Sequence, residues 1–205
     1  MIHIFEDEWR KKREIVKSRI KFLLGQYDNI YARNCEVKEI SSKDKNDFLL
    51  KNHFLEDDDS TTRIGLFYNN EIVSVMTFGK PRIYKNYEYE LKRFANKSGI
   101  RVIGGASKLL KYFENNYNPK SIVSLCDRRL YNGLLFEKIG FKFIKKTRPS
   151  FYWCKNKIRL NKYKYCIKDI LGKNYNSNLN FQENLKVNGW SRIYDCGNFV
   201  FEKIF

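Results

Sequence analysis

The chain has 205 residues, 42% of them hydrophobic and 16% aromatic, which excludes an intrinsically disordered polymer and suits one folded domain with appendages. Its 40 Lys and Arg against 23 Asp and Glu leave a formal charge of +17, so acidic partners are expected, nucleic acid (DNA) first among them. No apolar run reaches the roughly 18 residues of a membrane span and no signal-peptide pattern opens the sequence, so a cytoplasmic protein without a membrane partner is expected.

In chain order, Ile2-His3-Ile4-Phe5 reads as a strand, and Glu6-Asp7-Glu8 sets acids at the start of a helix, where the dipole favours them. Trp9, Val16, Ile20 and Leu23 recur at helical spacing, Arg10 to Arg13 is a basic cluster, and Gly25 is the expected C′ stop. A strand and a helix cannot bury a core alone. Residues 1–28 therefore read as a segment apart from a main unit over 29–170, with 171–205 as a small C-terminal extension. Tyr31 to Ile40 alternates as a strand, and Ser41 or Ser42 can cap a short helix carrying Phe48, Leu49 and Leu50. The acidic run Glu56 to Asp59 reads as a solvated loop. One His beside consecutive flexible acids makes a poor metal cage, and the five cysteines, at 35, 126, 154, 166 and 196, form no C-x-x-C pair, so no metal is expected.

Ile64 to Tyr68, then Asn69-Asn70, then Ile72 to Phe78 reads as a hairpin, because Asn tolerates the positive φ of a tight turn. Pro81 closes it, Tyr87 to Ala95 is the next extended segment, and Ser121 to Cys126 is a compact apolar strand ending in Asp127. With the helix that lies between these last two, they give an α/β (α+β) fold with a mixed central sheet flanked by helices. Farther on, Leu171 to Asn180 is loop-like, Phe181 to Val187 helical, and Arg192 to Phe201 a hairpin turning at Gly197-Asn198.

The most informative stretch is Arg101-Val102-Ile103-Gly104-Gly105-Ala106-Ser107-Lys108, which opens into a helix faced by Leu109, Leu110, Tyr112 and Phe113 and stopped by Asn118-Pro119. Small residues there let backbone N–H groups approach a pyrophosphate, and the helix adds unpaired N–H groups and the positive end of its dipole. On that reading a side chain at Gly105 intrudes on the diphosphate. Glycines before a helix also serve as plain turn residues.

From Lys142 to Lys168 there are ten Lys or Arg and no acid, interleaved with Phe143, Phe151, Tyr152, Trp153, Tyr163 and Tyr165. Lys142, Lys145, Lys146, Arg148, Lys155, Lys157 and Arg159 can pair with phosphates, and the rings can stack on bases. The same alternation fits an edge strand with rings inward and ammonium groups in water. His53 and Asp127 are candidates for an acid and base pair. Each also has a structural reading, as a hydrogen-bonded histidine and a helix N-cap.

The order of these features resembles the GNAT acyltransferase superfamily over roughly residues 33–154. Arg101-x-x-Gly104-x-Ala106 fits that family's acyl-CoA signature, and Phe136-Glu137-Lys138-Ile139-Gly140-Phe141 resembles its Tyr-Glu-Lys-Leu-Gly-Phe element. The resemblance implies acetyl-CoA or a related acyl-CoA held by residues 101–108. Many members use the tyrosine that opens the second element as the acid for the leaving thiolate. Here it is Phe136, which leaves Tyr131, Tyr152 or Cys126 as proton donor, or a domain that binds a CoA-like ligand without that chemistry.

Two further resemblances bear on context. Residues 1–28 are similar to the closing strand and helix of the very-short-patch-repair-like nuclease domain in Hef-like homing endonucleases of phages, whose metal-binding carboxylates would lie upstream. Asn52-His53, Gly79-Lys80-Pro81, Glu90-Leu91-x-Arg93-Phe94 and Asp127 with Gly133 resemble phage Mom-type proteins, GNAT-fold enzymes that modify adenine in DNA. That match implies His53 and Asp127 in the active site and a phage-infected host as the setting. Two functions follow as expectations: a GNAT-fold transferase acting on nucleic acid, with His53, Asp127 and Tyr131 as catalytic candidates, or a DNA-binding module without chemistry.

Overall fold

The computed structural model describes residues 2–161 and 167–205. Lys162, Tyr163, Lys164, Tyr165 and Cys166 of the basic and aromatic stretch lie outside the described residues.

The chain opens with helices α1 (Glu6–Lys11) and α2 (Arg13–Leu23), broken at Lys12. Gly25 ends α2 with φ of 76°. The N–H of Gln26 bonds the carbonyl of Lys21 and that of Gly25 the carbonyl of Phe22, the paired closure that a left-handed residue permits. The expected strand at Ile2 to Phe5 is absent. That segment is extended without a partner strand and is tied instead to Arg129, through the His3 N–H and the His3 carbonyl. The expected strand from Tyr31 to Ile40 is two strands, β1 (Asp28–Tyr31) and β2 (Glu36–Glu39), parted by the short 3-10 turn Ala32–Asn34.

Helix α3 (Ser42–Asn52) is capped by Ser41, whose hydroxyl accepts the Asp44 N–H at 3.1 Å. Strands β3 (Thr62–Tyr68) and β4 (Glu71–Gly79) form the expected hairpin, with Asn69 and Asn70 both at positive φ, 49° and 63°. Then come β5 (Tyr89–Asn96), β6 (Ile100–Ile103), α4 (Gly105–Tyr117), β7 (Ser121–Asp127), α5 (Leu134–Lys138) and β8 (Lys142–Lys146). The remainder comprises β9 (Phe151–Lys155), β10 (Ile158–Asn161), α6 (Ile167–Leu171), α7 (Phe181–Val187), β11 (Ser191–Tyr194) and β12 (Asn198–Ile204).

Seven strands form the main sheet in the order β2-β3-β4-β5-β7-β12-β8, antiparallel except for β5 with β7. Period-two alternation sends Met76 and Phe78 to one face, where Leu109, Leu110 and Phe113 of α4 pack, and Val75 to the other, under Phe48 and Leu49 of α3. Each such fully buried side chain contributes about 1.5–3 kcal/mol. β1 and β6 make a separate parallel pair, and β10-β9-β11 a separate antiparallel sheet.

The expected hairpin over Arg192 to Phe201 is therefore replaced by two strands of different sheets, because β12 finds its partners in β7 and β8. β12 comes from the segment read as a C-terminal extension, yet it is an interior strand of the main sheet. Residues 147–197 leave that sheet after β8 and return at β12. The two ends of this excursion are joined where Thr147 N–H donates to the Asn198 carbonyl at 2.8 Å and Asn198 N–H to Thr147 Oγ1 at 2.8 Å. Among the described residues no helix is long and apolar enough to cross a membrane.

Candidate functional site

Gly104 turns the chain from β6 into α4 with φ of 78°, a conformation that costs glycine nothing, and it offers no side chain to cap the helix. At this end of α4 lies a groove of about 440 Å³ lined by Tyr31, Arg33, Ile103, Gly104, Ser107 and Lys111 among others. Arg33 lies 5.0 Å from the Tyr31 ring, which steadies its guanidinium at the rim. Lys108 Nζ donates to the carbonyls of Ala32 at 2.9 Å and Cys35 at 2.6 Å, and so holds the turn that carries Arg33. Positive dipole, unpaired N–H groups and cations converge, which makes an anion subsite.

Of the eight residues expected here, Ile103, Gly104, Ser107 and Lys108 line the groove. Arg101 bonds the Tyr27 hydroxyl at 3.0 Å, and Val102, Gly105 and Ala106 are buried. A Cβ at Gly105 would sit 3.0 Å from Val102 Cγ1 and 3.3 Å from Leu66 Cδ1, so a side chain there would strike the core. Tyr31, Arg33 and Lys111 were not singled out from the sequence. Lys111 could have been, standing one turn beyond Ser107 on the same helix face.

The main sheet also splits. β5 and β7 pair only from Tyr89 with Ile122 to Leu91 with Ser124, although β5 runs on to Asn96 and β7 to Asp127. The parallel strands part into a V, and Ile15 and Val16 of α2 pack across it between Phe54 and Leu130. β5 leads through β6 to Gly104, so one continuous stretch forms a wall of the V and the turn of the anion subsite.

Two side-chain clusters flank the V. In the first, Asp58 accepts Thr77 Oγ1 at 2.6 Å and the Ser60 N–H at 2.9 Å, and buried Lys45 reaches Asp57 and Asp58. Burial alone would raise the Asp58 carboxyl, but the bonds from Ser60 and Thr77 and the charge of Lys45 hold it below its ordinary value. The acidic run is thus paired rather than a solvated loop: Glu56 with Lys12, Asp57 and Asp58 with Lys45, Asp59 with Lys92. His53 lies beside it. Its Nδ1 accepts the Leu55 N–H at 3.1 Å, and burial, reinforced by Arg93 and Lys12 against the opposing charge of Asp58, lowers its pKa to about 3. The imidazole is neutral with its proton on Nε2, a donor and a weak base.

In the second cluster Asp127 is held by Arg129, through the backbone N–H at 2.8 Å and Nη2 at 3.3 Å. Arg129 pairs with buried Glu8, and Arg159 joins Glu8 at 3.1 Å and Asp7 at 2.7 Å. The Phe5 ring lies 4.8 Å from the Arg129 guanidinium and 3.7 Å from that of Arg159. The charges that act on His53 are those of Arg93, Asp58 and Lys12, and Asp127 is bound to Arg129. The structure therefore gives His53 and Asp127 separate partners and joins them by no hydrogen bond or ion pair.

Tyr131, just past Asp127, is 40% exposed, and desolvation raises its pKa, with Arg19, 4.6 Å from the ring, opposing. Its hydroxyl stays protonated. Burial likewise raises Tyr152, and burial together with Asp127 pushes the Cys126 thiol to about 12. Phe136, half-buried, stacks on Phe201 at 4.9 Å against the core. Of the expected phosphate-binding cations, Lys142, Lys145, Lys146 and Arg148 are exposed and Lys155 is half-buried. Lys157 pairs with Glu6, and Arg159 is consumed by Asp7 and Glu8, which takes it from the phosphate-facing set.

No family model and no curated protein matches the sequence. Among solved structures, a GNAT family acetyltransferase from Elizabethkingia anophelis with acetyl-CoA bound is similar with a TM-score of 0.50 at 18% identity, over 84% of this chain and 99% of its own. The Bacillus subtilis acetyltransferase in complex with CoA is similar with a TM-score of 0.49 at 14% identity, over 84% and 98%. The fold is GNAT-like. At this identity the likeness concerns architecture, and the V and the uncapped helix carry the argument about chemistry.

Proposed function

We propose that the protein is a GNAT-fold acyltransferase that uses acetyl-CoA or a related acyl-CoA and acts on nucleic acid. The observation that carries the reading is the uncapped N-terminus of α4 at a cation-lined groove, in a sheet whose strands β5 and β7 part. The residues present fit such a donor. Gly104 leaves the first turn of α4 clear of side chains, the backbone N–H groups of Gly105, Ala106 and Ser107 would hold a diphosphate, and Arg33 and Lys111 would neutralise it. Bound there, the cofactor supplies an activated acyl thioester.

Tyr131 Oη keeps its proton and is the donor this chain offers in place of Phe136. Asp127, fixed by Arg129, shapes the turn that presents Tyr131, whose N–H bonds the Asp127 carbonyl at 3.0 Å. His53 presents Nε2–H as a hydrogen-bond donor on the other flank. The net charge of +17 supports a polyanionic acceptor, as does the resemblance to Mom-type proteins.

Calorimetric titration with acetyl-CoA tests the reading. Ser107→Glu puts a carboxylate at the third residue of α4, a place the helix dipole welcomes, so folding is kept while donor affinity falls at least about tenfold by repulsion. Tyr131→Phe should bind acetyl-CoA as the parent does and lose about a hundredfold in transfer rate. Absence of acetyl-CoA binding by the parent protein would remove the transferase reading in favour of a nucleic-acid-binding module, which Phe136, with no proton to give, favours.

A further inference from the structure

β8 is the outer strand of the main sheet, and all five of its residues are exposed. Lysines on an edge strand discourage pairing with another chain, but the cations here are left without acids. Among the described residues Lys142, Lys145, Lys146 and Arg148 enter no ion pair, while Lys12, Lys45, Lys92, Lys97 and Lys203 each have a carboxylate within reach. Glu202, the register partner of Lys142, is taken by the Tyr87 hydroxyl.

The register spreads these cations over both faces of the edge, Lys146 opposite Phe199 and Lys145 opposite Val200. On one face Lys146 and Arg128 meet the Phe199 ring at 5.9 and 5.4 Å. On the other, Lys145 meets the Tyr84 ring at 5.3 Å, on the loop that also exposes Arg82 and Lys85. Arg128 follows Asp127 directly, so the strip of uncompensated charge ends at the mouth of the V.

We infer that this strip is the docking surface for the phosphate backbone of duplex DNA. The choice of a duplex over a single strand follows from the rings. Tyr84 and Phe199 already carry the protein's own cations on them, whereas single strands are gripped by free aromatic faces. What remains on offer is positive charge along an edge, and that pairs with regularly spaced phosphates. The inference rests on the transferase reading for one point, that the acceptor reaches the V from this side.

Fluorescence anisotropy of a labelled DNA duplex of arbitrary sequence, measured between about 50 and 200 mM salt, tests the surface. Log affinity should fall linearly with log salt. The triple variant Lys145→Gln, Lys146→Gln, Arg148→Gln should lose roughly tenfold or more in affinity and flatten the slope by up to about 3, near 0.9 per phosphate contact. Lys157→Gln, whose cation already faces Glu6, should change neither. A triple variant that binds like the parent, or a single strand that binds more tightly than the duplex, overturns the assignment. Acetyl-CoA titration of the same variants separates the two readings. Loss of the duplex in the triple variant with no acetyl-CoA binding leaves the surface and removes the transferase, and the opposite pattern does the reverse.

Discussion

Lys45 is buried to 2% exposure, and an ammonium at that depth is tolerable only because the Asp58 carbonyl and the carboxylates of Asp57 and Asp58 surround it. Its partners were hidden in the sequence because Lys12, Lys45 and Lys92 reach the acidic run from three different elements, and no local spacing links them. His53 illustrates the same limit. A histidine after a helix was visible, but its neutrality comes from burial and from Arg93, which lies on a strand far along the chain. The folded imidazole takes a proton only near pH 3, against 6.5 ordinarily. As pH falls through that window the unfolded chain gains a proton that the folded chain does not, so stability present above the upper value is lost progressively toward the lower. His53→Asn keeps an acceptor for the Leu55 N–H and removes the titration. Urea midpoints from pH 7 to 4 should therefore decline less steeply in that variant than in the parent, and parallel declines would show that His53 is not the source.

At the scale of elements, what the sequence announced were local contracts: the Ser41 cap, the Asn69-Asn70 turn and the Gly25 stop each depend on a few neighbouring residues. The failures were elements settled at long range. Ile2 to Phe5 has the composition of a strand, but Arg129 occupies its polar groups, and α1 and α2 are parted at Lys12, whose ammonium is drawn to the Phe54 carbonyl and Glu56. Ile15 and Val16 of α2 then pack between Phe54 and Leu130, so the N-terminal helices bridge the two flanks of the V. Glu8 is the electrostatic pin of that bridge. Glu8→Ala strands the guanidinium of Arg129 in the interior and weakens the hold on Arg159, and should cost about 3 kcal/mol, the lower end for breaking a buried ion pair. Denaturant unfolding measures it. A loss below about 0.5 kcal/mol would mark the pair as an ordinary surface contact.

Across the whole molecule, the mixed sheet and the helix N-terminus were legible, whereas the place of β12 was not, since nothing local tells a terminal strand that its neighbours are β7 and β8. The excursion over 147–197 is closed at its neck, where Gly197 lies so near Thr147 that a Cβ would meet its carbonyl oxygen at 2.6 Å. Replacing residues 149–195 with an Asn-Gly turn should therefore preserve a cooperative fold and acetyl-CoA binding. It should also speed hydrogen exchange in residues 2–24, which lose Lys157 and Arg159 as partners. Unchanged exchange there would show that the excursion does not hold the N-terminal helices. The position of β12 also sets a timetable. A ribosome that has made everything through residue 197 has produced β7 with one edge open and β8 with no partner strand, and neither can be closed by anything already synthesised. Until β12 emerges, the half-built sheet is exposed to pairing with other chains, so the risk of aggregation outlasts the synthesis of every other strand of the sheet.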